Sequence, residues 1–252
     1  MRNMMIALLI VAAAIGAQAA DNASQVFGSA NALYLQGRYA DAASAYESIL
    51  AGGYENGELY FNLGNAYYKS GRIQNSILNY ERAKRFFPHD EDLSVNLQMA
   101  NLQVIDKIDV VPQLFLLRWI DDLLMLFSVQ TWGWILYGLF LAMLVSFSLF
   151  LMLSGYSERR ASLAAGMGTS LIFLMVLAIF IGQSYKDANT QHAIVMTDVV
   201  NVKSAPDARG NDAFVLHRGV KVQIMDSVNQ WWKIRLVDGK VGWVPQPDCE
   251  II

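Results

Sequence analysis

Residues 57–90 read GELYFNLGNAYYKSGRIQNSILNYERAKRFFPHD, and the stretch before them, residues 23–56, reads ASQVFGSANALYLQGRYADAASAYESILAGGYEN. Superposed at an offset of 34, the two copies match Phe27 with Phe61, Asn31 with Asn65, Ala32 with Ala66 and Tyr34 with Tyr68. Gly37 matches Gly71, Arg38 matches Arg72, Tyr46 matches Tyr80 and Glu47 matches Glu81. Each copy therefore predicts two helices joined by a turn at the matched glycine. In the second copy Tyr60, Leu63, Gly64 and Tyr67 fall on the first helix, Tyr80 and Ala83 on the second, and Pro88 closes the unit. The first copy departs at Ala30, Leu33 and Tyr54, where the second has Gly64, Tyr67 and Pro88. A third helix over 91–104 keeps the phase through Asn96, Leu97 and Ala100, and caps the stack by covering the second copy's apolar face.

The rest of the chain is of a different kind. Of its 252 residues 54% are hydrophobic and only 16% charged, which is more apolar than a soluble protein and points to lipid-facing surface. A net charge of −3 supplies no basic field for a phosphate backbone, so nucleic acid is not an expected partner. One cysteine, Cys249, excludes an internal disulfide and a cysteine-rich zinc site, and three scattered histidines make no dense metal cluster. No metal and no cofactor are expected. Cys249 is an odd thiol, either buried and idle or available for an intermolecular bridge.

Residues 1–19 carry Arg2, an apolar run over 4–15 and the small-residue pattern Ala17-Gln18-Ala19, which predicts a signal peptide cleaved after Ala19. Two long uncharged windows follow, 123–157 and 161–185. They predict transmembrane helices over 132–153 and 163–183, the first about 33 Å long, enough to cross a hydrocarbon core of about 30 Å. Trp132, Trp134 and Tyr137 at one end and Tyr156 at the other suit the two interfaces. The link over 154–162 holds Arg159 and Arg160 against Glu158, which places it in the cytoplasm and both flanking parts outside. The signal peptide independently gives the same topology. Residues 114–128 break an apolar run with Arg118, Asp121 and Asp122, as an amphipathic helix lying in the membrane interface would. The same pattern suits docking of a partner's helix.

Beyond 192 the texture changes to short β-branched runs over 193–196, 199–203, 221–225, 232–236 and 241–244, separated by turn signals. These predict a small all-β barrel over 192–252, with Asp238-Gly239 as a hairpin turn and Gly242 placed for close packing. Trp231, Trp232 and Trp243 offer an aromatic platform, although a barrel this small needs some of them for its core.

Both modules resemble known families. The period of 34 and the residues quoted above are similar to the tetratricopeptide repeat, whose stacked helix pairs form a concave groove for a peptide or helix of another protein. The groove residues on this reading are Phe27, Asn31, Tyr34, Phe61, Asn62, Asn65, Lys69 and Asn96. The asparagines have a second reading as caps or ties between helices. Asn31 and Asn62 match the two asparagines of carboxylate-clamping grooves, but Phe27, Asp92 and Asn96 stand where the basic residues belong. Over 21–106 six basic residues face ten acidic ones, which favours a partner surface with positive charge. The stretches VVNVKSAPD at 199–207, LHRG at 216–219, WWKI at 231–234 and DGKVGWV at 238–244 resemble a bacterial SH3-like domain. That resemblance implies contact with cell-wall peptides, peptidoglycan or protein segments.

The whole arrangement, with NLQMANLQVIDKI at 96–108 and a Trp-rich lead into a two-span hairpin, resembles the BatE-type aerotolerance proteins. The resemblance implies von Willebrand factor A-type membrane partners, a MoxR-type ATPase, and a part in tolerance of oxidative or envelope stress. The expected protein is a multidomain membrane scaffold of the bacterial inner (cytoplasmic) membrane, with the repeats and the SH3-like domain in the periplasm. Its rivals are a cell-wall sensor or tether, and a hydrolase. The chain has no G-x-S-x-G, H-E-x-x-H or P-loop motif, and Glu58, Glu91 and Asp92 stand where acids favour helix starts, so it is not expected to be an enzyme.

Overall fold

The structure is a computed structural model that describes residues 22–108, 115–124 and 126–252. The expected signal peptide over 1–19 lies outside the described residues, as do residues 109–114 and 125, which include part of the interfacial helix expected over 114–128. The chain forms two compact units, one of residues up to Asp109 together with His192–Ile252, the other Val110–Gln191.

The first unit begins with α1 (22–35) and α2 (Tyr39–Ala51), then α3 (Gly57–Lys69), α4 (Ile73–Lys84) and α5 (Glu91–Asn101). Gly37 and Gly71 adopt φ of +77° and +78° at the turns inside the two pairs, a conformation open to glycine and strained for other residues. Asn56 and Asp90 cap α3 and α5, each side chain accepting the backbone N–H three residues on, from Leu59 and Leu93 at 2.7 Å. Gly64 must be small: a Cβ there would stand 2.6 Å from the Tyr80 ring. Helix α5 ends at Asn101, short of the expected 104, and Val104 is buried in the turn that follows.

Seven strands follow in the same unit: β1 (Gln191–Val195), β2 (Val199–Lys203), β3 (Asp212–His217), β4 (Lys221–Val228), β5 (Trp231–Arg235), β6 (Val241–Pro245) and β7 (Cys249–Ile251). They form a sheet in the order β3-β2-β6-β5-β4-β1-β7. The pairings β1–β7, β2–β3, β2–β6, β4–β5 and β5–β6 are antiparallel. Gly239 turns the β5–β6 hairpin at φ +91°, and Gly242 lets β6 approach β2 so closely that a Cβ would meet Val202 at 2.4 Å.

Among the described residues two hydrophobic cores run through this unit. One joins Ala30, Ala42, Ala43, Tyr46 and Ile49 to Leu59, Leu63, Ala66 and Tyr67, all helical. The other begins at Ile77, Tyr80, Leu93, Leu97, Ala100 and Val104 and continues without a break into Ala193, Ile194, Val195, Leu216 and Val222 of the sheet and Val220 of the turn before β4. The repeats and the sheet are thus one body.

The second unit holds α6 (Phe115–Leu124), α7 (Val129–Met152) and α8 (Tyr156–Asn189). Both α7 and α8 contain a stretch long and apolar enough to cross a membrane. The link expected over 154–162 is shorter than the sequence reading, because helix resumes at Tyr156. No glycine or proline interrupts residues 156–165, Glu158 lies in the first turn, and the Arg159 guanidinium sits 4.8 Å from the centroid of the Phe150 ring. The two long helices meet through small and polar residues: the Ser146 hydroxyl donates to the Ser162 carbonyl at 2.6 Å, and Gly166 lies against that hydroxyl.

Candidate functional site

Helices α1, α3 and α5 are the first members of successive repeats, and the expected groove residues lie on them. Phe27 packs its ring 5.7 Å from Tyr46, and Phe61 packs 6.0 Å from Tyr80, so the repeat is kept in three dimensions. Tyr34 stands edge-on to Tyr39 at 5.1 Å, and Lys69 is exposed in the last turn of α3.

The asparagines are tied to other helices. Asn65 Oδ1 accepts the Tyr80 hydroxyl at 2.7 Å and the Asn96 amide at 3.0 Å. Asn31 Oδ1 accepts the Tyr46 hydroxyl, with the Asn62 amide at 3.5 Å. Each carbonyl oxygen spends both lone pairs within the stack, which is the second reading of these residues. Burial raises the Tyr46 hydroxyl to about 12, with Tyr34 and Glu58 adding to the effect, and burial likewise pushes Tyr80 well above the ordinary tyrosine value.

Three groove residues were not singled out from sequence, although the same offset of 34 finds them. Val95, Met99 and Leu102 on or just after α5 correspond to Phe61, Asn65 and Tyr68, and are 53%, 49% and 69% exposed. Gln103, the counterpart of Lys69, donates to the Tyr68 hydroxyl at 2.8 Å. The face is aromatic on the first two repeats and aliphatic on α5. Glu58, Glu91 and Asp92 in the first turns of α3 and α5 make its amino-terminal margin acidic.

The three tryptophans do not share a face. Adjacent residues of a strand point to opposite sides. Trp232 pairs with buried Val244 and packs on the core, while Trp231 pairs with Pro245 and Trp243 with Lys233. Trp231, Lys233, Trp243 and Pro245 therefore occupy the outer face, with the Lys233 ammonium 5.9 Å from the centroid of the Trp243 ring. Val228 and Asp226, paired with Trp231 and Lys233, extend it. The platform of three reduces to Trp231 and Trp243.

Among the described residues no group of three or more histidine, cysteine, aspartate or glutamate side chains is placed to hold a metal ion. His217 Nδ1 lies 2.9 Å from Asp106, but that carboxylate also accepts the His217 backbone N–H at 2.6 Å, so the pair closes a contact between turn and sheet. Cys249 is buried in β7, and burial pushes its thiol up to about 12, with Asp248 adding a smaller effect.

Comparison with known families agrees with both module readings. The tetratricopeptide repeat family matches residues 27–91, and the bacterial SH3 domain family matches residues 198–248. No curated protein matches the chain. The protein thus combines a tetratricopeptide repeat region, a type of module that binds other proteins, with a bacterial SH3 domain, a type that binds cell-wall material or peptides. Two long apolar helices lie between them.

Proposed function

We propose that this protein is a non-enzymatic, membrane-anchored scaffold that holds a protein partner in its repeat groove outside the cytoplasm. The observation that carries the reading is an apolar ladder in which half-buried Phe27, Phe61, Tyr34 and Tyr68 are continued by exposed Val95 and Leu102, on helices whose asparagine carbonyls are already tied to their neighbours. An apolar segment with basic flanks fits that face and its acidic margin. The single core shared by the repeats and the sheet supports the topology: two segments that fold together lie on one side of any bilayer crossed by the hairpin between them. With the signal peptide and the Arg159-Arg160 pair, that side is the periplasm and the membrane is the bacterial inner membrane. The resemblance to BatE-type proteins makes von Willebrand factor A-type membrane proteins the expected partners, within a complex serving aerotolerance or envelope stress.

A photo-crosslinking residue placed at Leu102 in the full-length protein in its native membrane tests this. A discrete crosslinked membrane protein, lost on Val95→Lys, is expected. A groove that crosslinks only lipid or nothing would overturn the scaffold reading.

The outer face of Trp231 and Trp243, flanked by Lys233 and Asp226, favours a second reading in which the SH3 domain tethers the protein to peptidoglycan. Co-sedimentation of the full-length protein with purified sacculi, compared with Trp243→Ala, decides it: equal sedimentation of the two removes this face as the wall contact.

A further inference from the structure

The second core raises a question about what ends the repeat stack. Two helix pairs and a single eleven-residue helix make a short solenoid, and an open end needs a polar cap or a further layer. Helix α5 buries only Leu93, Leu97 and Ala100. The offset of 34 shows what a third repeat would have supplied. At the first junction the Tyr67 hydroxyl from α3 donates to Glu47 of α2. Glu81 of α4 is the counterpart of Glu47, and the counterpart of Tyr67 is Asn101, whose side chain is short and exposed. Glu81 is instead met by Lys221 of β4, Nζ to Oε2 at 2.7 Å, with the carboxylate side chain only 11% exposed.

The same substitution of sheet for helix occurs around it. Ile77, the counterpart of Ala43, is fully buried, and the loop before β4 lies on it. Gly219 there has φ +90°, and a Cβ would stand 2.9 Å from Val104 and 3.3 Å from Ile77, so only glycine lets the loop come this close. Arg82 of α4 donates to Glu250 at 3.0 Å and to the Ile251 carbonyl at 2.7 Å, reaching β7. Asp106, just beyond α5, binds both the backbone and the ring of His217 at the end of β3. Three strands of the sheet and the loop before β4 thus meet α4, α5 and the turn after them through one apolar patch ringed by charge-assisted bonds.

We propose that the SH3 domain serves as the closing cap of the repeat stack, taking the place of further repeat helices against α4 and the turn after α5. Its role is then structural in cis as well as any ligand role of its outer face, and the last groove helix depends on it. Helix α5 carries Val95 and Met99 on its exposed side and Leu97 and Ala100 on the capped side, so loosening the cap loosens the groove. A version lacking residues 192–252 would lose partner binding by melting α4 and α5, with no ligand of the SH3 domain involved.

The test is hydrogen exchange read by mass spectrometry on the full-length protein in lipid nanodiscs. Lys221→Glu sets a second carboxylate against largely buried Glu81, and amides of α4 and α5 are expected to exchange about tenfold faster or more. Adding Glu81→Lys in the same chain restores the pair with reversed sign and is expected to recover most of the protection. Gly219→Val, which forces a branched side chain onto Val104, gives the same rise through packing instead of charge. Exchange that changes only within β4 and its neighbours, with α4 and α5 as protected as before, overturns the proposal. So does failure of the double variant to recover protection when Gly219→Val also leaves α4 and α5 unaffected. The readout needs no partner, so the cap stands or falls separately from the groove reading on which its functional consequence rests.

Discussion

The core around Tyr46 and the core around Tyr80 are built on corresponding positions one repeat apart and are completed by different material. Around Tyr46 the next helix, α3, supplies Leu59, Leu63, Ala66 and Tyr67. Around Tyr80 the short α5 supplies Leu93, Leu97 and Ala100, and the remainder comes from strands more than a hundred residues further along. The lesson is that a repeat's face is satisfied by shape and area, not by a particular secondary structure. The two sites also differ in chain separation: the first core assembles from neighbours in sequence, the second only after the hairpin has been made and the chain has returned.

The largest expected effects separate the two cores. Leu63→Ala and Ile194→Ala each remove a side chain from a site that is 1% or 0% exposed, and each is expected to cost about 2–5 kcal/mol. Their reach differs. In denaturant titrations followed by segment-resolved exchange, Ile194→Ala should destabilise α4 and α5 along with the sheet. If it leaves the helices at wild-type protection, the second core is two cores in contact and the comparison fails.

The asparagine ties come next. Asn65→Ala strands the Tyr80 hydroxyl, which belongs to a side chain 1% exposed, and is expected to cost about 1–3 kcal/mol. Removing both groups, Asn65→Ala with Tyr80→Phe, should cost less than the two changes summed, because no buried donor is then left without an acceptor. The pair Asn31 and Tyr46 should behave alike, since its bond is the same one repeat earlier. A cost near zero for Asn65→Ala would return that residue to the groove as a free ligand group.

How much of this could be read from sequence depended on whether the pattern was local. The repeats were legible because Gly64 and Tyr80 meet within one helix pair and recur at a fixed offset. Trp232 was legible in principle, since its neighbour Trp231 must point the other way in a strand. Strand β3 was missed because DAFVLH follows a turn-rich stretch and only Leu216 in it is buried, and β7 because it has three residues. The docking of the sheet was not legible at all. Gly219 lies in the LHRG stretch that reads as a family marker, and nothing in Glu81, Asp106 or Lys221 announces a partner over a hundred residues away. The early start of α8 was masked by its charges, which read as a loop although nothing in them breaks a helix.

Alkaline titration sharpens the comparison at intermediate effect. Burial pushes the Tyr46 hydroxyl from an ordinary 10.0 up to about 12, so ionisation is disfavoured by folding. A raised folded value means its contribution to stability is intact below pH 10 and is lost as pH rises from there toward 12. Tyr67 and Tyr80 are raised in the same direction, again chiefly by burial. Cys249 adds the same sign from 9.0 upward, in the sheet. Helical circular dichroism and thiol labelling of Cys249 should therefore both hold to about pH 9–10 and then change together, as one unit would. Labelling that precedes the helical loss would show the sheet opening on its own.

The smallest effect tests whether charge at the junction does more than charge on an open surface. Arg38 and Asp41 pair at 2.8 Å, but their side chains are 58% and 55% exposed, and Arg38→Ala is expected to change stability by no more than about 0.5 kcal/mol. Arg82 is 23% exposed at the side chain, donates to a carboxylate and a carbonyl of β7, and lies 5.9 Å from the Tyr60 ring. Its replacement by alanine removes packing as well as charge, and about 1 kcal/mol is expected, only weakly reduced by salt because the carbonyl bond and the ring contact are not ion pairs. Equal costs for the two arginines, both vanishing in high salt, would mean that the rim of the cap is ordinary surface and that the apolar patch of Ile77, Val104 and Gly219 holds the sheet alone.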